Sequence, residues 1–350
     1  VLGESGWFRR ATRPDLSSGA SQPFGRAPKA KRSGAAHPEL GMAELLRGGV
    51  IGAGVFGGYH ARQYSKQHGA VLSAVLDADP RRAAAVAVPL GGRAFHELEP
   101  FLEAVDVVTV ATPATTHAQY VLAALAAGKP VYVEKPIAVT LGDAEKIRQL
   151  ADAKGLVVAC GHQERVVFRA MGLLDVPEQP LRLEALRHGT PSERSQDVSA
   201  VLDLMVHDLD LALSLSMAEP AAAEGEGRLG AAGAWDTARA DVTFADGFTA
   251  LFDVSRQAPA RKRTMRVVFP SGEVEIDFLA RTFRNTTPFQ LNADFAETPA
   301  AQDPLGASVA GFLRAARGDA PRPVVTADEA IRALDLALAV EQALAEAAAA

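Results

Sequence analysis

The chain has 350 residues, 48% of them apolar and 22% charged, with a formal net charge of -6. That length suggests about two domains, and the negative balance excludes a global attraction to nucleic acid or to an acidic membrane. The single cysteine, Cys160, excludes a disulfide framework and fits a reducing, cytoplasmic compartment, and no apolar stretch reaches the roughly 18 residues of a membrane span.

Residues 1–41 differ from the rest. They are rich in Gly, Ser, Ala, Pro and Arg, and carry seven Lys or Arg against three acidic residues. Such a stretch is expected to be a disordered tail. Arg9-Arg10 is not read as an export signal, because no apolar segment follows it. Met42 leads at once into the first strand, so the folded protein is expected to start there.

From Gly48 strand and helix patterns alternate. An apolar run ends in Gly52-Ala53-Gly54-Val55-Phe56-Gly57, with a helix expected from Val55 to about His68. In such a turn the first glycine permits the bend, the second lets backbone approach a pyrophosphate, and the third lets helix and strand pack closely. A second strand, 71–77, ends in Asp77, placed to accept hydrogen bonds from a ribose diol and so to favour NAD over NADP, although Arg81 and Arg82 stand nearby. A helix from Pro80, a small third strand before Phe101, the strand 107–111 and a helix ending at Gly128 follow. The strand 130–133 runs into Glu134-Lys135-Pro136, and a helix over 141–154 precedes the strand 156–160, in which Cys160 reads as an inert core thiol. This is a doubly wound parallel α/β sheet of Rossmann type. Ligands sit outside the carboxyl ends of such strands. The glycine turn, Asp77, Thr112-Pro113 and Glu134-Lys135-Pro136 all fall there.

Past Gly161 the pattern changes. A strand over 181–188 and a helix over 201–217 come first. Two hairpins follow, 238–244 with 248–254 and 265–269 with 273–278. Helices over 304–317 and 326–345 close the chain, the last with a capping box at Thr326 to Glu329. The expectation is an α+β domain with an open, largely antiparallel sheet, and Phe244, Phe248 and Phe252 in its core. The domains are expected as 42–161 for the dinucleotide and 162–350 for substrate and oligomerisation, with the last helices able to pack back on the first domain.

Asp203 and His207 are four apart and share a face of an α-helix, so a carboxylate can stand behind an imidazole base. The alternative is a solvent-facing helix end with a satisfied histidine. Lys135 beside a proline at the ligand edge of the sheet favours the base, because a dehydrogenase must remove a hydroxyl proton.

Taken together, Gly52–Gly57, Thr112-Pro113 with His117, Glu134-Lys135-Pro136, and Asp203 with His207 resemble the Gfo/Idh/MocA oxidoreductases over about residues 47–345. The resemblance implies an NAD(P)-dependent sugar or inositol dehydrogenase. Lys135 would polarise the substrate hydroxyl, His207 would take its proton, and Asp203 would support the base or bind a neighbouring hydroxyl. A cis bond before Pro136 is also implied. The cofactor set is Gly52, Gly54, Val55, Phe56, Gly57, Asp77, Ala111, Thr112, Pro113, His117, Glu134 and Lys135. The substrate set is Lys135, Arg165, Asp203 and His207, with no metal.

Within the family, Gly161-His162-Gln163-Glu164-Arg165 is most similar to the branch acting on UDP-N-acetyl-sugars, but Val166-Val167-Phe168 replaces that branch's Phe-Asn-Pro. Arg165 either contacts substrate or cofactor, or pairs with Glu164. Arg187, His188 and Arg194 either meet a diphosphate or lie in a solvated loop. The expected function is hydride transfer between NAD and a secondary hydroxyl of a sugar or nucleotide sugar, by a homodimer or homotetramer. The alternatives are an inositol dehydrogenase, a cofactor-recycling sugar oxidoreductase, or a non-catalytic NAD-responsive regulator.

Overall fold

The structure, a computed structural model, describes residues 45–191, 197–216 and 218–350. The expected tail, the start at Met42 and Arg194 lie outside the described residues.

Six short strands form a parallel sheet: β1 (Leu46–Ile51), β2 (Ala70–Leu76), β3 (Arg93–Phe95), β4 (Val107–Val110), β5 (Val131–Val133) and β6 (Val158–Cys160). Their order is β3-β2-β1-β4-β5-β6, so the winding reverses between β1 and β4. That reversal opens a crevice at the strands' carboxyl ends. Every residue of β4, β5 and β6 is buried, as expected of strands covered on both faces. The crossovers are α1 (Val55–Lys66), α2 (Pro80–Ala87), α3 (Leu98–Glu103), α4 (His117–Ala126) and α5 (Leu141–Lys154). Asp79 caps α2 by accepting from Arg81 N, with Pro80 in the first turn, and Gly155 ends α5 in the left-handed region at φ 63°.

The second half contains α6 (Glu164–Met171), β7 (Arg182–His188), α7 (Val206–Leu215) and β8 (Pro220–Leu229). It continues with β9 (Trp235–Phe244), β10 (Thr249–Ser255), β11 (Lys262–Phe269), β12 (Gly272–Asp277) and β13 (Thr282–Asn285). The chain closes with α8 (Pro299–Gln302), α9 (Pro304–Arg317) and α10 (Ala327–Ala349). A π-helical turn, Val201–Met205, leads into α7. The strand order is β13-β12-β11-β7-β10-β9-β8. Both expected hairpins form, β9 with β10 and β11 with β12. They do not sit side by side, because β7 lies between them, parallel to β10 and antiparallel to β11. The sheet is therefore mixed.

One face of this sheet is packed. Phe244, Phe248 and Phe252 are buried there as expected, in one core with Leu209, Leu334 and Val340 of α7 and α10. One element carries a weak sequence signal. The strand β8 is mostly Ala, Gly and Glu, and its place comes from backbone pairing with β9. The helix α6 buries Val166, Phe168 and Met171 on its inner face. The helix α9 packs against α1, and its Val309, Phe312 and Leu313 share a core with Tyr64 of α1 and Val50 of β1. A bridge from Ala159 to Thr326 brings the start of α10 to β6. Cys160 is a free, buried thiol whose burial pushes its ionisation up.

Candidate active site

The glycine turn joins β1 to α1. Gly52 has φ +98°, and a Cβ there would lie 2.6 Å from Ala111 O. A Cβ on Gly57 would lie 1.7 Å from Gly52 O, so only glycine lets α1 begin this close to the strand. At Gly54, the N-cap of α1, nothing lies within 4 Å of an added Cβ. The backbone there faces open room at a helix N-terminus, a ready seat for an anion. Val55 and Phe56 of the same turn are 45% and 51% exposed.

Asp77 follows β2 and is buried against the turn. Its Oδ2 accepts from Ala53 N at 2.8 Å, and its Oδ1 accepts from Asp79 N and from Arg82 Nη2, both at 2.9 Å. Burial pushes its carboxyl up, but these donors outweigh burial and hold it below the usual carboxylate range. About three of the roughly four acceptor positions of a carboxylate are thus filled, leaving a place for a ribose hydroxyl.

At the end of β4, Ala111 N donates to Ile51 O, and Thr116 Oγ1 donates within the turn that carries Thr112 and Pro113. His117 was expected among the cofactor contacts. The structure buries it instead, with Nδ1 2.7 Å from Pro136 O and Nε2 2.9 Å from Thr112 O. It clamps two strand-end loops together from behind the crevice. Burial lowers its affinity for a proton, partly offset by the two carbonyls.

Glu134 is likewise turned away. Its Oε1 lies 2.8 Å from His60 Nε2 and accepts from Gln163 Nε2 at 3.1 Å. Consecutive residues of an extended chain point to opposite sides, so Lys135 faces the other way. Burial pushes Glu134 up, yet its bond to His60 and the charges of His60 and Lys135 keep it ionised. His60 on α1, with no motif to mark it, is a partner that sequence reasoning missed.

Lys135 precedes a cis peptide bond to Pro136, as the family resemblance implied. Its ammonium donates to Asp203 O at 2.7 Å and to Asp203 Oδ1 at 2.8 Å. Arg256 approaches Asp203 Oδ2 to 3.6 Å and donates to Val198 O at 2.7 Å. Burial raises Asp203, but Lys135 and then Arg256 hold its carboxyl below the usual range.

The carboxylate beside His207 is not Asp203, as the i, i+4 spacing suggested, but Glu164. His207 Nδ1 lies 2.8 Å from Glu164 Oε2, an ion-pair distance with angles off-line for a hydrogen bond. The π-turn at Val201–Met205 breaks the α-helical register between Asp203 and His207, which frees Asp203 for Lys135.

Arg165 does not pair with Glu164, because adjacent helical residues point apart. Its guanidinium makes a bidentate contact with Asp210, both bonds at 2.7 Å, and donates to Glu329 at 2.7 Å. With its donors committed to α7 and α10, it staples helices together in place of the expected substrate contact. Arg187 is buried in β7, and His188 lies 2.8 Å from Asp253, so neither occupies a solvated loop. Phe168, part of the departure from the expected branch pattern, is buried and stacks on Phe278 rather than facing the crevice.

Among the described residues no group of three or more His, Cys, Asp or Glu is placed to hold a metal ion. The crevice does offer an anion seat, a ribose acceptor, an ammonium and an imidazole backed by carboxylate. Together these can bind a dinucleotide, polarise an oxygen and take a proton.

Residues 46–162 match the oxidoreductase family with an NAD-binding Rossmann fold, and residues 182–275 match the GFO/IDH/MocA C-terminal domain. The chain belongs to the Gfo/Idh/MocA oxidoreductases. This Gfo/Idh/MocA chain is 34% identical over 288 residues to UDP-N-acetylglucosamine 3-dehydrogenase of Acidithiobacillus ferrooxidans, spanning 79% of this chain and 90% of that one. The solved structure of GnnA, the UDP-N-acetylglucosamine 3-dehydrogenase from Acidithiobacillus ferrooxidans, superposes with a TM-score of 0.79 at 32% identity, over 86% of this chain and 98% of its own. GenD2 from gentamicin A biosynthesis, solved in complex with NAD, gives a TM-score of 0.77 at 25% identity, over 90% and 98%. Inositol 2-dehydrogenase of Acidothermus cellulolyticus is 37% identical over 183 residues, 47% of this chain and 52% of that relative. The family and the two-sheet fold expected from sequence therefore hold. The chain is an NAD-binding oxidoreductase, and the regulator alternative finds no counterpart in these relatives.

Proposed function

We propose that this Gfo/Idh/MocA chain transfers a hydride between nicotinamide and a secondary hydroxyl carbon of a sugar carried on a nucleotide. Similarity to a UDP-N-acetylglucosamine 3-dehydrogenase along most of both chains supports the nucleotide-sugar class, whereas the inositol dehydrogenase match stops at about half of that relative. The observation that carries the reading is Lys135 Nζ held 2.8 Å from Asp203 Oδ1, with His207 one turn further along and Glu164 of α6 beside its ring.

NAD, when bound, would supply the nicotinamide ring as the hydride acceptor. The chain supplies the rest. Backbone at Gly54, Val55, Phe56 and Gly57 receives the diphosphate, Asp77 takes a ribose hydroxyl, and Ala111, Thr112 and Pro113 line the crevice beyond β4. Lys135 donates to the substrate oxygen and stabilises negative charge as the proton leaves. His207 takes that proton. Asp203 orients Lys135 and keeps an oxygen toward a neighbouring hydroxyl. On this reading residues 42–161 carry the cofactor and residues 162–350 the substrate.

A cytoplasmic location is supported by the free, buried Cys160. A homodimer or homotetramer is supported by the second sheet's uncovered face, where a recess of about 590 Å³ lies among Glu184, Leu251, Arg266, Glu275 and Arg284. The test of function is the absorbance of reduced nicotinamide with NAD and a panel of UDP-sugars, free sugars and inositols. Turnover confined to UDP-sugars supports the proposal. Turnover confined to inositols, or none with any of the panel, overturns it.

A further inference from the structure

Behind His207 lies a buried chain of charges that neither composition nor spacing announces. His207 Nδ1 contacts Glu164 Oε2 at 2.8 Å. The other oxygen of Glu164 accepts from Arg187 Nη1 at 3.0 Å. Arg187 then donates from Nε and Nη2 to the two oxygens of Asp208, at 2.9 and 2.8 Å. Three elements, α6, β7 and α7, each contribute a member. The side chains of Arg187 and Asp208 are only 3% and 4% exposed. We infer that Glu164, fixed by Arg187, is the positioning carboxylate of His207, so that Nδ1 carries the ring proton and Nε2 is the nitrogen left to take the hydroxyl proton.

The inference rests on reading His207 as the base. An ionised carboxylate at Nδ1 selects the tautomer with the proton on that side and favours the imidazolium formed when Nε2 accepts a second proton. That proton comes from the substrate hydroxyl as the hydride leaves the same carbon, so a carbonyl forms and the charges balance. The off-line angle at Nδ1 is ordinary for a catalytic pair without substrate, which aligns in the complex. Burial pushes Glu164 up, but His207 and Arg187 overcome this and hold it well below the usual carboxylate range. The other titratable groups facing the pair are His162 ahead of α6, Asp203 in the π-turn and Arg263 on β11. The ring of His162 stands edge-on to that of His207, with centroids 6.1 Å apart. Arg263 lies directly across the strand from Arg187.

The test uses the full chain labelled with [15N]histidine, with His207→Ala to assign the resonance. Nitrogen shifts report which ring nitrogen carries the proton, without any substrate. The expected result is the Nδ1–H tautomer in the wild type. In Glu164→Gln, removing the neighbouring negative charge should lower the Nδ1–H fraction of His207, and Glu164→Asp should restore most of it. Bound NAD should quench intrinsic fluorescence equally in all three. An Nε2–H tautomer in the wild type, or an unchanged Nδ1–H fraction in a folded Glu164→Gln chain, overturns the inference. If Glu164→Gln does not fold, the wild-type tautomer decides by itself. Undiminished turnover of UDP-N-acetylglucosamine in His207→Ala would instead remove the base assignment, a separate failure.

Discussion

The ammonium of Lys135 donates to both the backbone carbonyl and the carboxylate of Asp203, at 2.7 and 2.8 Å. Asp203 is thus the seat of the lysine rather than the support of the histidine. Lys135→Ala should lower kcat by about 10²–10⁴-fold while the dissociation constant for NAD stays within about twofold. Asp203→Asn keeps the shape and the carbonyl contact but loses a charge, so it should cost less than Lys135→Ala. Steady-state kinetics beside NAD fluorescence titration check both, and a larger loss in Asp203→Asn would reverse the order of roles.

Two glycines of one turn should respond in opposite ways. In Gly57→Ala the new carbon would meet Gly52 O at 1.7 Å, so strand and helix must separate, at a cost of about 1–3 kcal/mol or more. Its melting temperature should fall. Gly54→Ala enters open space, so its melting temperature should hold while the dissociation constant for NAD rises about tenfold. Thermal melts and NAD titrations of both variants separate folding from binding.

Cofactor choice turns on Asp77. Its charge repels a 2′-phosphate, and NAD should show the lower KM. Asp77→Ser should narrow the preference, because Arg82, now tied to Asp77 Oδ1, becomes available to a phosphate. The ratio of KM values for NAD and NADP measures this, and a lower KM for NADP in the wild type contradicts it.

His162 makes stability depend on pH. Burial pulls its pKa down to about 4, so the folded chain holds it neutral where the unfolded chain protonates it. Between the ordinary histidine value near 6.5 and about 4 the unfolded state binds more protons, so stability falls as pH falls, by up to about 1.4 kcal/mol per unit. Depressed carboxylates such as Glu134 and Asp203 add loss only further into acid, as pH falls through their folded values. Denaturant melts at pH 7 and pH 4.5 should show a smaller drop in His162→Phe than in the wild type, and equal drops would exclude His162 as the cause.

What the sequence discloses here is local, and what it hides is mostly made by distant partners. The glycine turn, Asp77 and Lys135 lie at strand ends within one run of alternating elements, so pattern alone aims them into the crevice. Asp203 and His207 were legible as residues but not as partners, because a π-turn of five residues overrides the α-helical spacing. Glu164 sits beside Arg165 in sequence, yet the two side chains take different partners, His207 for Glu164 and Asp210 with Glu329 for Arg165. The strand β8 has too few β-branched and aromatic residues to mark it, and its pairing with β9 decides its conformation. The parallel pairing of β7 with β10 joins residues 67 apart, which no local pattern records.

The most direct test of the account is reduced-nicotinamide formation from NAD and UDP-N-acetylglucosamine by the wild type and by His207→Ala at equal cofactor occupancy. The account predicts turnover in the wild type and a loss of at least about 10²-fold in kcat for the variant, with NAD affinity retained. Equal turnover in the two chains would contradict it.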